Sequence, residues 1–156
     1  MIPITIPGRG NYTIAHLVLD LNGTLALDGF LLPGIAEQIT QLASLLTIHI
    51  LTSDTHGSAA EQLAGLPIEI EILCSPDHSR EKANYVRKLG FEKTIAIGNG
   101  ANDARMLENA AIGIAVIQRE GGAAKTIVCA DVVFSDILHA FEAILNPLRL
   151  IATLRE

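Results

Sequence analysis

Apolar positions along the chain fall into two alternating rhythms. Runs dominated by Ile, Leu and Val read as strands: "IPITI" at the start, "NYTIAHLVLD" ending at Asp20, "TIHILT" ending at Thr52, "IEIEIL" before Cys74, "KTIAIGNG", "IGIAVI" and "DVVF". Between them apolar residues recur at helical spacing. Pro33 to Leu45, with Ile35, Ile39, Leu42 and Leu46 on one stripe, predicts a helix that Pro33 can open. Ser58 to Ala64 predicts a short helix closed by Gly65, and "SPDHSREKANYVRKLG" a capped helix ending at Gly90. "NDARMLENA" and "GGAAKTIV" predict two more. Ser135 is placed to cap a final helix, which Pro147 kinks or restarts. The Pro-Gly-Arg-Gly turn after "IPITI" predicts a hairpin with the next strand.

Strands that alternate with helices, several of them apolar throughout, predict an α/β fold: a Rossmann-like three-layer sandwich with a mostly parallel central sheet, plus the short N-terminal β-hairpin. Right-handed crossovers gather the carboxyl ends of such strands on one edge, where ligands bind. Asp20, Thr52 and Asn99 each follow a strand, and Asp103 opens the helix after the third. No linker or repeat divides the chain, so residues 1–156 are expected to form one domain.

Composition narrows the partners. A chain of 156 residues can bury roughly 70% of its unfolded surface, and 49% hydrophobic against 18% charged residues describes a globular protein. With a net charge of −6, no basic run and no aromatic stripe, nucleic acid is not an expected partner. Mean hydropathy is +0.39, yet stretches such as "LLTIHIL" fall far short of the roughly 20 residues a membrane span needs. The opening "MIPITIPGRG" lacks the basic start of a signal peptide. These features predict a soluble, cytoplasmic protein without a membrane partner. Cys74 and Cys129 lack CxxC spacing and are expected to be reduced, buried, structural thiols.

"VLDLNGTL", "ILTSD", Lys82 in "SREKANYV" and "AIGNGANDARMLENAAIGIAV" resemble, in order and spacing, the four motifs of the haloacid dehalogenase superfamily. The nearest likeness is to the phosphorylation domain of P-type ATPases, and the chain resembles a stand-alone, soluble P-type-ATPase-like phosphatase. The resemblance implies a Mg²⁺-dependent phosphohydrolase in which Asp20 attacks phosphorus and carries an aspartyl-phosphate. Thr52 would offer a hydroxyl to the phosphoryl oxygens, and Lys82 a charge that neutralises Asp20 and the transferring group together. The Asp20 carboxylate, the backbone carbonyl of Asn22, Asn99 and Asp103 would hold Mg²⁺, Asp103 directly or through water.

Two positions depart from the family pattern. Asn22 stands where most members have an Asp that serves as general acid and base, so ester cleavage and dephosphorylation are expected to be slow. Asn99 stands where a metal-binding Asp is usual, so weaker metal affinity is expected. The alternative is a weakly catalytic or non-catalytic module that binds a phosphorylated ligand or partner. An EF-hand fails on glycine and glutamate placement. A dinucleotide loop fails because Asp103 takes the third glycine's place, and a receiver domain would need an acidic pair after its first strand. Spacings of 32 positions from Asp20 to Thr52 and 30 from Thr52 to Lys82 leave no room for a cap domain. The expected partners are a small phosphorylated substrate or a phosphoprotein, with a homo-oligomer covering the open site through "IPITIPGRGNYTI" or "LALDGFLLPG". His16, His49 and His139 have no metal spacing, while His56 and His78 lie near the second and third motifs.

Overall fold

The structure, a computed structural model, describes residues 1–53 and 61–156. Its centre is a parallel six-stranded sheet in the order β10-β9-β8-β3-β6-β7, built from β3 (His16–Asp20), β6 (Thr47–Thr52), β7 (Glu69–Ile72), β8 (Thr94–Gly98), β9 (Ile112–Val116) and β10 (Val132–Phe134). Strands β1 (Ile2–Ile6) and β2 (Gly10–Ile14) form an antiparallel hairpin, and β4 (Ala26–Leu27) with β5 (Phe30–Leu31) a smaller one.

Alternation along the strands divides the interior into two layers. Leu17, Leu19, Ile48, Ile50, Ile95, Ile97, Ile112 and Ile114 face one side. There they meet α1 (Ile35–Ala43), α5 (Ile137–Leu145) and α6 (Leu148–Leu154), together with Ile2, Ile4 and Ile6 of the hairpin. Val18, Leu51, Ala96 and Ala115 face the other side, toward α2 (His78–Leu89), α3 (Ala104–Glu108) and α4 (Ala124–Cys129). Small residues on this second face let α3 come close. A Cβ at Gly113 would lie 2.6 Å from the carbonyl oxygen of Leu107, so the glycine is sterically required.

The layers and the hairpin follow the expected architecture, while several boundaries differ. The single strand expected over residues 11–20 splits at Ala15, whose N–H donates to the carbonyl of Lys93 and whose carbonyl accepts from Thr47 N. These bonds to flanking segments turn the chain out of the hairpin and insert β3 between β6 and β8. Helix α1 begins at Ile35 and not at Pro33, because Gly34 takes a left-handed conformation (φ +84). Asp136, not Ser135, caps α5, accepting from Leu138 N at 2.8 Å. As expected, Pro147 ends one helix and starts another; α5 and α6 meet at 104°. The helix expected at 58–64 falls largely outside the described residues, as do Asp54 and His56. Cys74 is exposed and Cys129 half-buried, so neither is the buried thiol expected. Both are free. Among the described residues no single helix is long and apolar enough to cross a membrane.

The second face also holds a polar string at the end away from Asp20. His16 Nδ1 lies 3.0 Å from His49 Nε2, and His49 Nδ1 lies 3.1 Å from both the Tyr85 hydroxyl and Glu69. Burial lowers the pKa of His49, outweighing the attraction of the exposed Glu69; His16 lowers it further. A lowered folded-state pKa means that the unfolded chain takes up the proton more readily, so stability is lost as pH falls through about 6.5, the ordinary histidine value. The wild type should therefore lose more Tm between about pH 7.5 and 5.5 than His49→Gln, as measured by thermal unfolding in matched buffers.

Candidate active site

Asp20 is the last residue of β3 and shares the parity of His16 and Val18, so its side chain turns to the α2 face. There Lys82, in the first turns of α2, is buried with Ala83 and Val86. Its Nζ donates to Asp20 Oδ1 at 2.5 Å and to Asp103 Oδ1 at 2.6 Å. The lysine is 1% exposed and Asp103 0%. Burial opposes the charge on Lys82, but Asp20 and Asp103 together outweigh it and raise its pKa. Burial, with repulsion from Asp103, carries the Asp20 carboxyl up to about 7 against the pull of Lys82.

Asp103 ends the 3₁₀ turn Ala101–Asp103 and serves the loop as well as the lysine. Its Oδ2 accepts from the backbone N–H groups of Asn99 (3.1 Å) and Gly100 (2.9 Å). The carboxylate thus shapes the loop after β8 and aims Lys82 at Asp20. Both of its oxygens are engaged, which favours contact with any cation through water.

The turn after β3 brings in an oxygen that the sequence reading did not assign. The N–H groups of Thr24, Leu25 and Ala26 all donate to the carbonyl of Leu21, and Gly23 N donates to Ala26 O at 2.8 Å. Gly23 has φ +79, and a Cβ there would collide with the Asn99 amide. Thr24 is thereby buried with its Oγ1 3.4 Å from Asp20 Oδ2 and 3.3 Å from Asn99 Oδ1. Asn99 Nδ2 donates to Gly121 O at 3.0 Å, which turns the amide oxygen inward. Three buried oxygens, from Asp20, Thr24 and Asn99, converge while the hydroxyl has one proton to share. An all-oxygen set including a carboxylate fits a hard divalent cation. Among the described residues no cluster of three or more His, Cys, Asp and Glu side chains is placed to hold a metal, so the fit depends on amide, hydroxyl and backbone oxygens.

The structure therefore brings Asp20, Lys82, Asn99 and Asp103 together. Thr52 is buried at the end of β6, the strand beside β3, where Leu51 is the register partner of Asp20. Asn22 is exposed on the same turn. His78 opens α2 and has no part in these contacts. Thr24 was visible in the sequence as part of "DLNGTL", but its placement depends on Asn99, 75 residues away. Gln118 had no signal of any kind. It lines a cleft of about 520 Å³ beside the turn, together with Gly23, Ala26, Leu32, Ile117 and Asp136.

Comparisons with known proteins give likenesses in sequence and in fold. A profile of haloacid dehalogenase-like hydrolases matches residues 81–127. An uncharacterized protein of Methanocaldococcus jannaschii is 51% identical over 65 residues, which cover 42% of this chain and 70% of that protein. A phospholipid-transporting ATPase of Saccharomyces cerevisiae is 24% identical over 142 residues; the match takes in 91% of this chain but spans 11% of the ATPase's length. The 3-deoxy-D-manno-octulosonate 8-phosphate phosphatase of Moraxella catarrhalis, in complex with magnesium, phosphate and KDO, shares the fold with a TM-score of 0.65. Its identity is 20%, over 91% of this chain and 94% of that one.

Removing the ammonium would strand two buried carboxylates, a situation that typically costs about 3–5 kcal/mol. Lys82→Met should lower stability by that order in metal-free urea unfolding, and the loss should shrink when Mg²⁺ is added, since the cation can replace the missing positive charge.

Proposed function

This chain belongs to the haloacid dehalogenase superfamily, and on that premise we propose that it is a Mg²⁺-dependent phosphohydrolase with Asp20 as nucleophile. The observation that carries this reading is the buried Lys82 ammonium shared between Asp20 and Asp103 at the carboxyl edge of the sheet. A strand-end carboxylate beside a buried cation suits attack on an electron-poor phosphorus. Asp20 Oδ1, next to Lys82, forms a bond to phosphorus as the bond to the leaving oxygen breaks. Lys82 and the Thr52 hydroxyl take up charge on the phosphoryl oxygens. Water then attacks the aspartyl-phosphate, releasing orthophosphate and regenerating Asp20. Mg²⁺, held by Asp20 Oδ2, Asn99 Oδ1 and the backbone carbonyl of Asn22, with Asp103 acting through water, would neutralise phosphate charge and orient it.

The Asn22 amide neither gives up nor takes up a proton near neutral pH, so the leaving oxygen takes its proton from solvent, and the attacking water has no side-chain base on this turn. This is the basis for a slow second step. The substrates that suit the site are small phosphorylated molecules or a phosphoprotein. The reading also takes the fold to be a capless domain whose open edge a second copy covers. Phe30, at the tip of the β4–β5 hairpin, is 64% exposed and supports that contact. The rival reading, a module that holds a phosphorylated ligand with little turnover, draws support from the amides at 22 and 99.

Incubation with acetyl phosphate and Mg²⁺ should yield free phosphate, or a gain of one phosphoryl group by intact-protein mass spectrometry, in wild type and not in Asp20→Asn. Absence of both signals at saturating Mg²⁺ would remove the enzyme reading. Asn22→Asp should raise turnover by about 10²-fold or more, since general acid–base help is typically worth 10²–10⁴-fold; no gain would favour the binding module. Light scattering at micromolar concentration should give a mass above that of one chain, and Phe30→Ser should lower it.

A further inference from the structure

The turn that carries Asn22, Gly23 and Thr24 is supported unequally on its two sides. On the inner side Gly23 packs against Asn99. On the outer side it borders the cleft of about 520 Å³, so side-chain packing there is sparse. One side chain reaches across. Gln118 Nε2 donates to the carbonyl of Gly23 at 3.2 Å and to that of Thr24 at 2.8 Å, while its Oε1 accepts from Ile137 N, at the start of α5, at 3.0 Å.

These two carbonyls belong to the peptide groups on either side of the Thr24 Cα. Holding both fixes the rotation about that Cα, and so the direction in which the hydroxyl leaves the backbone. We propose that Gln118 is a positioning residue that aims Thr24 Oγ1 at Asp20 Oδ2 and Asn99 Oδ1 and ties this aim to the loop after β9 and to α5. An amide suits the task because one group supplies two N–H donors and an acceptor. The proposal deepens the phosphohydrolase reading and rests on it for the effect on turnover; its effect on the turn itself rests on the hydrogen bonds alone.

The test compares Gln118→Glu with Gln118→Ala. Glutamate keeps the size of the side chain and can still accept from Ile137 N, but it has no proton to donate to Gly23 or Thr24. Amide hydrogen exchange should quicken at Leu25 and Ala26 in both variants, with the amides of α5 altered in Gln118→Ala alone. Calorimetric titration with Mg²⁺ should show weaker binding in both. With acetyl phosphate, kcat should fall about 10- to 100-fold in both, with KM little changed, as expected when reacting groups are misplaced by a fraction of an ångström.

Wild-type exchange and Mg²⁺ affinity in Gln118→Glu would overturn the proposal and leave Gln118 as an anchor for α5 only. If Gln118→Ala does not fold, Gln118→Glu decides alone. If wild type neither releases phosphate nor is phosphorylated, the phosphohydrolase reading fails. The role of Gln118 then stands or falls on exchange and Mg²⁺ titration, which need no turnover.

Discussion

One buried ammonium shared by two carboxylates holds the functional edge of this protein together. Lys82, Asp20 and Asp103 come from three separate segments, and all are almost fully removed from water. Desolvation of such groups is costly, and their mutual attraction repays it only where geometry is good and remaining lone pairs are satisfied. Both conditions are met around Asp103, which engages Lys82 with one oxygen and two backbone amides with the other. The loop after β8 cannot change shape without disturbing the lysine, and the lysine cannot move without depriving Asp20 of its counter-charge.

The arithmetic of charge in this cluster explains why an amide at position 99 alters the site without dismantling it. When both carboxylates are ionised they face one ammonium, leaving a single excess negative charge. A third carboxylate at 99 would raise the attraction for a divalent cation, but would also press a further buried anion against Asp20, whose carboxyl burial already pushes up to about 7. Asn99 keeps an oxygen aimed at the cluster and uses its nitrogen on Gly121 O, so it contributes geometry without charge. The chain thus relies less on a metal to offset negative charge at this site than a three-carboxylate version would.

What the sequence made legible is what repeats or has a fixed motif. The apolar runs "HLVLD", "TIHILT" and "IGIAV" were enough to place the sheet, and strand parity sends Asp20 to the α2 face. Lys82 was readable from its motif alone, since a lysine within a helix ordinarily points to water. The break at Ala15 was hidden because two strands of different sheets happen to be contiguous in one apolar run. Thr24 and Gln118 were hidden for another reason: each acquires its role from partners 75 and about 95 residues away, and no local pattern encodes that separation. Burial of the cysteines was expected from residue type, but Cys74 lies exposed just after β7 and Cys129 is the half-buried last residue of α4.

Among the described residues the sheet ends on one side at β7, whose four residues Glu69–Ile72 are all exposed. A short strand of alternating isoleucine and glutamate at a sheet border is an available template for another molecule's backbone. Glu69 and Glu71 make that template self-rejecting: two such borders brought together would set rows of carboxylates side by side without a counter-ion. The acidity of the chain, which the composition shows only as a net number, therefore acts here as a local safeguard against strand-to-strand polymerisation.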